Sequence, residues 1–164
     1  MRPLFIPVLL LGMSIHSAWA ATPPVVVQFT NPDHYSDASL RSNYQRGADP
    51  SVLKALRAKF EKLGSRYLQP GQQLQIEVRN IDLAGRFEPW NYNANDVRFM
   101  REITWPSIDL HYVLSQDGKI VRQADARISD KAYLQRPGRT SHSDRLYSEK
   151  AMLDDWFRQQ FKPR

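Results

Sequence analysis

The sequence predicts an α+β fold: a two-layer sandwich whose mixed four-stranded sheet carries two helices on one face, in the order β-α-β-(long loop)-β-β-α. Three observations predict it. Two stretches repeat apolar residues at spacings of three and four, which marks a helix with one buried stripe. Every strand after the first alternates apolar with polar residues, giving one face for a core and one for water. Stacking both helices on that apolar face buries every stripe at once.

The chain opens with a leader. Arg2 precedes an apolar run from Leu4 to Ile15, and the run ends in Ala18-Trp19-Ala20. A positive start, an apolar stretch too short to cross a bilayer, and small residues before the cut make residues 1–20 a secretory signal peptide. Residues 21–164 are then one domain, periplasmic and soluble after cleavage near Ala20 and Ala21. No later stretch approaches the ~20 apolar residues of a membrane span. The chain has no cysteine, which excludes disulfides, thiolate metal sites, a thiol nucleophile and a lipid-anchored N-terminal cysteine.

Val25-Val26-Val27-Gln28-Phe29 reads as a buried strand after Pro23-Pro24, followed by a loop at residues 31–35 and an irregular polar stretch to Gly47. The first helix starts with Asp49 as cap and Pro50 at its first position. Leu53, Leu56, Phe60, Leu63 and Tyr67 form its stripe, with Lys54, Lys59, Lys62 and Arg66 toward water. Gln69-Pro70-Gly71 ends it. In the second strand Leu74, Ile76 and Val78 share a face. Ile81 and Leu83 are out of phase by one, which predicts a bulge near Asn80.

The connection from Ala84 to Pro106 is long for a compact domain, so residues 96–103 should form a short element, helical or extended. Two strands then meet at Gln116-Asp117-Gly118. A three-residue loop with a bulge sets Leu110 opposite Ala124 and Asp109 opposite Asp125, whereas a two-residue loop sets Leu110 opposite Asp125. The first alternative pairs apolar with apolar and is the expected one. The last helix begins near Ser143-Asp144 and buries Leu146, Leu153, Trp156, Phe157 and Phe161, with Met152 at the edge.

The formal net charge is +6, of which Arg2 supplies one. An exported protein rarely meets nucleic acid, so anionic lipid headgroups, lipopolysaccharide or acidic polymers suit this balance better. No phosphate loop, dinucleotide fingerprint or His-Glu-x-x-His motif occurs, and no cofactor is expected. Ser141-His142-Ser143-Asp144 has the letters of a hydrolase triad but reads as a polar loop capping the last helix, since triad members meet through a fold.

Three groups are candidate sites. Lys131, Arg136, Arg139, Arg145 and Tyr147 place cations and an aromatic on one basic segment, chemistry that grips anions by forked hydrogen bonds and stacking. Arg86, Trp90, Arg98, Arg101 and Trp105 in the long loop either rim a groove or fold back over an open sheet edge. In the expected register Asp109, His111 and Asp125 share the polar sheet face, a grouping suited to a divalent ion or to acid–base chemistry.

Asp82-Leu83-Ala84-Gly85 with Glu88-Pro89-Trp90, Asp96-Val97-Arg98 to Arg101 with Trp105-Pro106, Ser129-Asp130 with Tyr133-Leu134, and Glu149-Lys150 through Leu153-Asp154-Asp155-Trp156-Phe157 form a set of blocks. As a set they resemble a family of exported proteobacterial proteins defined by a domain of unknown function, number 3016. The resemblance implies secretion and a single domain, and no activity. It marks Asp82, Glu88, Trp90, Asp96, Arg98, Arg101, Asp130, Asp154 and Asp155 as recurring polar positions, which ion pairs between the loop and the last helix would explain.

The functional expectation is a non-catalytic periplasmic module that binds an anionic envelope component or an envelope protein. The alternative is a small hydrolase or metal-dependent enzyme using Asp109, His111 and Asp125.

Overall fold

Asp49 stays extended and its carboxylate accepts the Ser51 N–H at 2.9 Å, while Pro50 occupies a position whose missing N–H costs the helix nothing. From this cap α1 runs Pro50–Tyr67 in the computed structural model, which describes residues 23–41, 47–88, 90–91, 93–94, 96–137 and 143–161. The leader at 1–20, Arg139, Ser141 and His142 lie outside the described residues. The other principal elements are β1 (Val25–Phe29), β2 (Gln72–Asp82), β3 (Arg86–Phe87), β4 (Arg98–Phe99), β5 (Ser107–Gln116), β6 (Lys119–Ser129) and α2 (Tyr147–Phe161).

The four-stranded sheet has the order β1-β2-β5-β6. β1 runs parallel to β2, and the other neighbours are antiparallel, so the sheet is mixed. Register places Val27, Ile76, Tyr112 and Ala124 in one row across it. That face meets both helices. Val25 lies against Gly64 of α1, and Tyr112 packs edge-on to Trp156 and Phe161 of α2 at 5.6 and 5.9 Å. Phe60 and Phe157, 6.2 Å apart, join the helices over the sheet. Leu56, Phe60, Leu74, Ile81, Leu153 and Phe157 are fully buried, and each such side chain contributes ~1.5–3 kcal/mol relative to exposure. The two-layer sandwich is therefore as the alternation predicts.

Gly64 sets how closely α1 approaches the sheet. A methyl group there would stand 1.9 Å from a Val25 methyl, and a β-branched neighbour in a strand has little freedom to turn away. Alanine improves helix propensity by ~1 kcal/mol, but overpacking costs ~1–3 kcal/mol. G64A should lower stability in urea titration, and adding V25A should return part of the loss. Equal midpoints for G64A and wild type would show that the helix shifts freely.

The bulge in β2 falls between Val78 and Asn80. It returns Ile81 to the core and frees the Asn80 amide, which bonds the Ser36 N–H and hydroxyl. Residues 98–99 resolve as extended rather than helical, pairing with 86–87 as a separate two-stranded ribbon.

The β5–β6 hairpin corrects the expected register. Its loop is Asp117-Gly118, two residues with φ of 51° and 79°, flanked by Gln116 opposite Lys119. A bulge beyond it then shifts the pairing between Leu114 and Ser115. Turn and bulge together set Leu110 opposite Ala126, His111 opposite Asp125, and Asp109 opposite Arg127. Apolar still meets apolar, because the bulge restores the parity that a two-residue loop alone would lose. Asp109 and Asp125 are therefore not partners.

Candidate functional site

The long connection is organised around arginines. Gly85, at φ 79°, lets the chain turn back where a Cβ would meet the Phe99 carbonyl at 2.7 Å. Into that turn projects Arg98, only 10% exposed. Its Nη2 meets Asp37 at 2.7 Å, its Nε donates to the Ala84 carbonyl at 2.7 Å, and its remaining donors reach the Ser39, Leu83 and Gly85 carbonyls. Arg86 pairs with Asp37 and Asp82 at 3.1 and 2.7 Å. Arg101 holds the buried Glu88 at 2.6 Å. Arg98 and Arg101 also sit over the Phe87 and Phe99 rings.

These arginines brace the loop instead of facing a groove. Trp90 is 71% exposed, and Trp105 lies beneath the Lys131 ammonium at 5.3 Å. Arg86, Trp90, Arg98, Arg101 and Trp105 thus do not converge on one surface. Nor does the loop cover the far edge of the sheet, where residues 119–123 are all exposed.

The basic segment is likewise spent internally. Arg136 pairs with Asp130 and, at 2.6 Å, with Asp155 of α2. Burial opposes its charge, but the two carboxylates outweigh burial and raise its pKa above the ordinary value. Arg145 donates to the Leu40 carbonyl, the Tyr147 hydroxyl to the Pro137 carbonyl at 2.8 Å, and Lys150 to Asp144 at 2.7 Å. Arg145 and Tyr147 line one recess with Met100, whereas Arg136 lines another between β6 and α2. Lys131, Arg136, Arg145 and Tyr147 therefore build no common anion cradle, contrary to the expectation. Asp144 accepts the Leu146 N–H at 3.0 Å in the turn that leads into α2.

On the open sheet face His111 Nδ1 stands 2.8 Å from Asp125, which also binds Arg79 at 2.8 Å. Arg79 continues to Glu77, and Glu77 accepts the Thr30 hydroxyl. The His111 contact first, and then Arg79, hold the Asp125 carboxyl below the usual carboxylate range. Asp109 stands apart, 3.6 Å from Arg127. The hairpin register therefore joins His111 to Asp125 and leaves Asp109 out of the expected grouping of three. Among the described residues no three His, Asp or Glu side chains are placed to hold a metal.

Two features escape a reading by residue class. Glu149 is 2% exposed, accepts the Ala84 N–H at 2.7 Å through Oε1, and leaves Oε2 without a hydrogen-bond partner. Its signal was its phase: with Leu146, Leu153 and Trp156 it lies at spacings of three, four and three, inside the apolar stripe. The second is the outer side of α1. Lys54, Arg57, Lys62 and Arg66 are exposed there, and none has a carboxylate within ion-pair distance among the described residues. Arg57 donates to the Val27 carbonyl and Arg66 lies over Tyr67. Lys59, on the flank, pairs with Asp154.

Among the described residues no helix is long and apolar enough to cross a membrane. A family model described as "Protein of unknown function (DUF3016)" matches residues 23–159. No curated protein and no solved structure matches the chain.

Proposed function

For a chain that belongs to the DUF3016 family, whose description names no activity, we propose a non-catalytic module that acts in the periplasm and docks an anionic envelope component through α1. Export rests on the leader ending at Ala20. The observation that carries the docking surface is a contrast in charge. The described arginines of the loop and of the segment after β6 are held by carboxylates or carbonyls. On α1 the exposed Lys54, Arg57, Lys62 and Arg66 have no carboxylate within ion-pair distance among the described residues, although Arg57 donates to the Val27 carbonyl and the exposed Glu61 stands among them, so the four cations outnumber the one acid. Such a row attracts phosphate-bearing surfaces, at ~1 kcal/mol per cation near the membrane.

The test is co-sedimentation of residues 21–164 with vesicles containing phosphatidylglycerol, with lipopolysaccharide aggregates, and with phosphatidylcholine alone. Binding should favour the two anionic surfaces and weaken as salt rises. The variant K54Q/R57Q/K62Q/R66Q should bind them at least about tenfold more weakly. Equal recovery of wild type and variant on every surface would remove α1 from the reading.

A further inference from the structure

We propose that β6 is the dimer interface of this protein, pairing edge to edge with β6 of a second copy to make one continuous eight-stranded sheet. Among the described residues β6 has a strand neighbour on its β5 side only, and its 11 residues form one outer edge of the sheet. An uncovered edge of this length is a template for another strand. Edges protected from self-pairing carry like charges, which repel in any antiparallel match. β6 carries Lys119 and Arg122 toward its hairpin end, and in its second half opposite charges two residues apart on its open face.

Asp125 and Arg127 are those charges, with side chains 71% and 67% exposed. A twofold axis at Ala126 sets Asp125 of one copy opposite Arg127 of the other, and the symmetry makes that pair twice. An axis one residue earlier would face Asp125 with itself, and an axis at Ala124 would face it with Gln123. Charge complementarity therefore selects one register. The present partners of these groups, His111 and Arg79 on Asp125 and Asp109 on Arg127, lie on the same face and leave both side chains largely open.

Antiparallel pairing in one sheet requires the axis to be perpendicular to it, so all four helices fall on one side. This proposal does not depend on the reading of α1, and its test uses no membrane.

Sedimentation velocity of residues 21–164, up to about 0.1 mM, should show a concentration-dependent dimer. D125R faces arginine with arginine, and R127D faces aspartate with aspartate. Each should raise the dissociation constant at least about tenfold, because each reverses both symmetric pairs. The double swap D125R/R127D should restore dimerisation. A monomer at all concentrations overturns the proposal, as does a dimer that ignores both single swaps or one that the double swap fails to rescue.

Discussion

R98A should lower the free energy of unfolding by about 1–3 kcal/mol, the loss expected when buried acceptors lose their donor. The truncation takes the Arg98 donor from the Ala84 and Ser39 carbonyls and leaves Asp37 and the Leu83 and Gly85 carbonyls to Arg86 alone. Burial of unpaired acceptors carries most of the penalty. R98K keeps the positive charge but lacks the planar fork that reaches a carboxylate and several carbonyls together, so it should recover only part of the loss. D37N tests the other side and should destabilise less than R98A, since the asparagine oxygen still accepts from Arg98. Urea midpoints for the three variants read this directly. If R98A unfolds with wild type, Arg98 does not brace the loop.

Glu149 should make stability fall as pH rises through the mildly acidic range. Burial, its largest influence, pushes its carboxyl above the ordinary value of 4.5; the Ala84 N–H and its own N–H oppose burial, as does the Arg98 charge, while Asp144 adds to it. The folded chain therefore keeps a proton that the unfolded chain releases near pH 4.5. Where the native state holds more protons, stability decreases with pH. The contribution of Glu149 is complete below the unfolded value and is lost progressively above it, up to the raised folded value. Asp82, raised chiefly by burial, acts in the same direction. Asp49, Glu77 and Asp125 are lowered and act oppositely, and Glu77 and Asp125 are open to solvent screening.

E149Q keeps an acceptor for the Ala84 N–H and cannot ionise. Its melting temperature, measured from pH 4 to 8, should exceed that of wild type increasingly toward neutrality. E149A removes the acceptor as well and should cost about 1–3 kcal/mol at every pH, through the stranded Ala84 N–H. Parallel pH curves for wild type and E149Q would show that Glu149 ionises equally in both states.

The two helices, the bulge in β2 and the single apolar sheet face were legible because local periodicity carries them. Leu56, Phe60 and Leu63 share a helix face whatever the rest of the chain does. The hairpin register was not legible. A two-residue turn with a bulge and a three-residue loop with a bulge both pair apolar with apolar, and the choice lies in backbone dihedrals at Asp117 and Gly118. That choice moved Asp109 from Asp125 to Arg127 and reduced the expected group of three to the His111–Asp125 pair. The arginine sites failed for another reason. Sequence shows that a cation is present, and only the fold shows whether a carboxylate such as Asp37, Glu88, Asp130 or Asp155 reaches it first.

By itself the sequence determined a leader-like start, a cysteine-free chain, the α+β layering and which side of each helix is buried, because those properties depend on composition or on neighbours within a few residues. Tertiary structure alone decided which charges are spent and which are free. Arg98 and Arg136 are consumed by residues distant in the chain, whereas Lys54 and Lys62 face outward with no carboxylate at ion-pair distance among the described residues. Charge neutralisation acts over a few ångströms of space, and folding sets those distances without regard to separation along the chain.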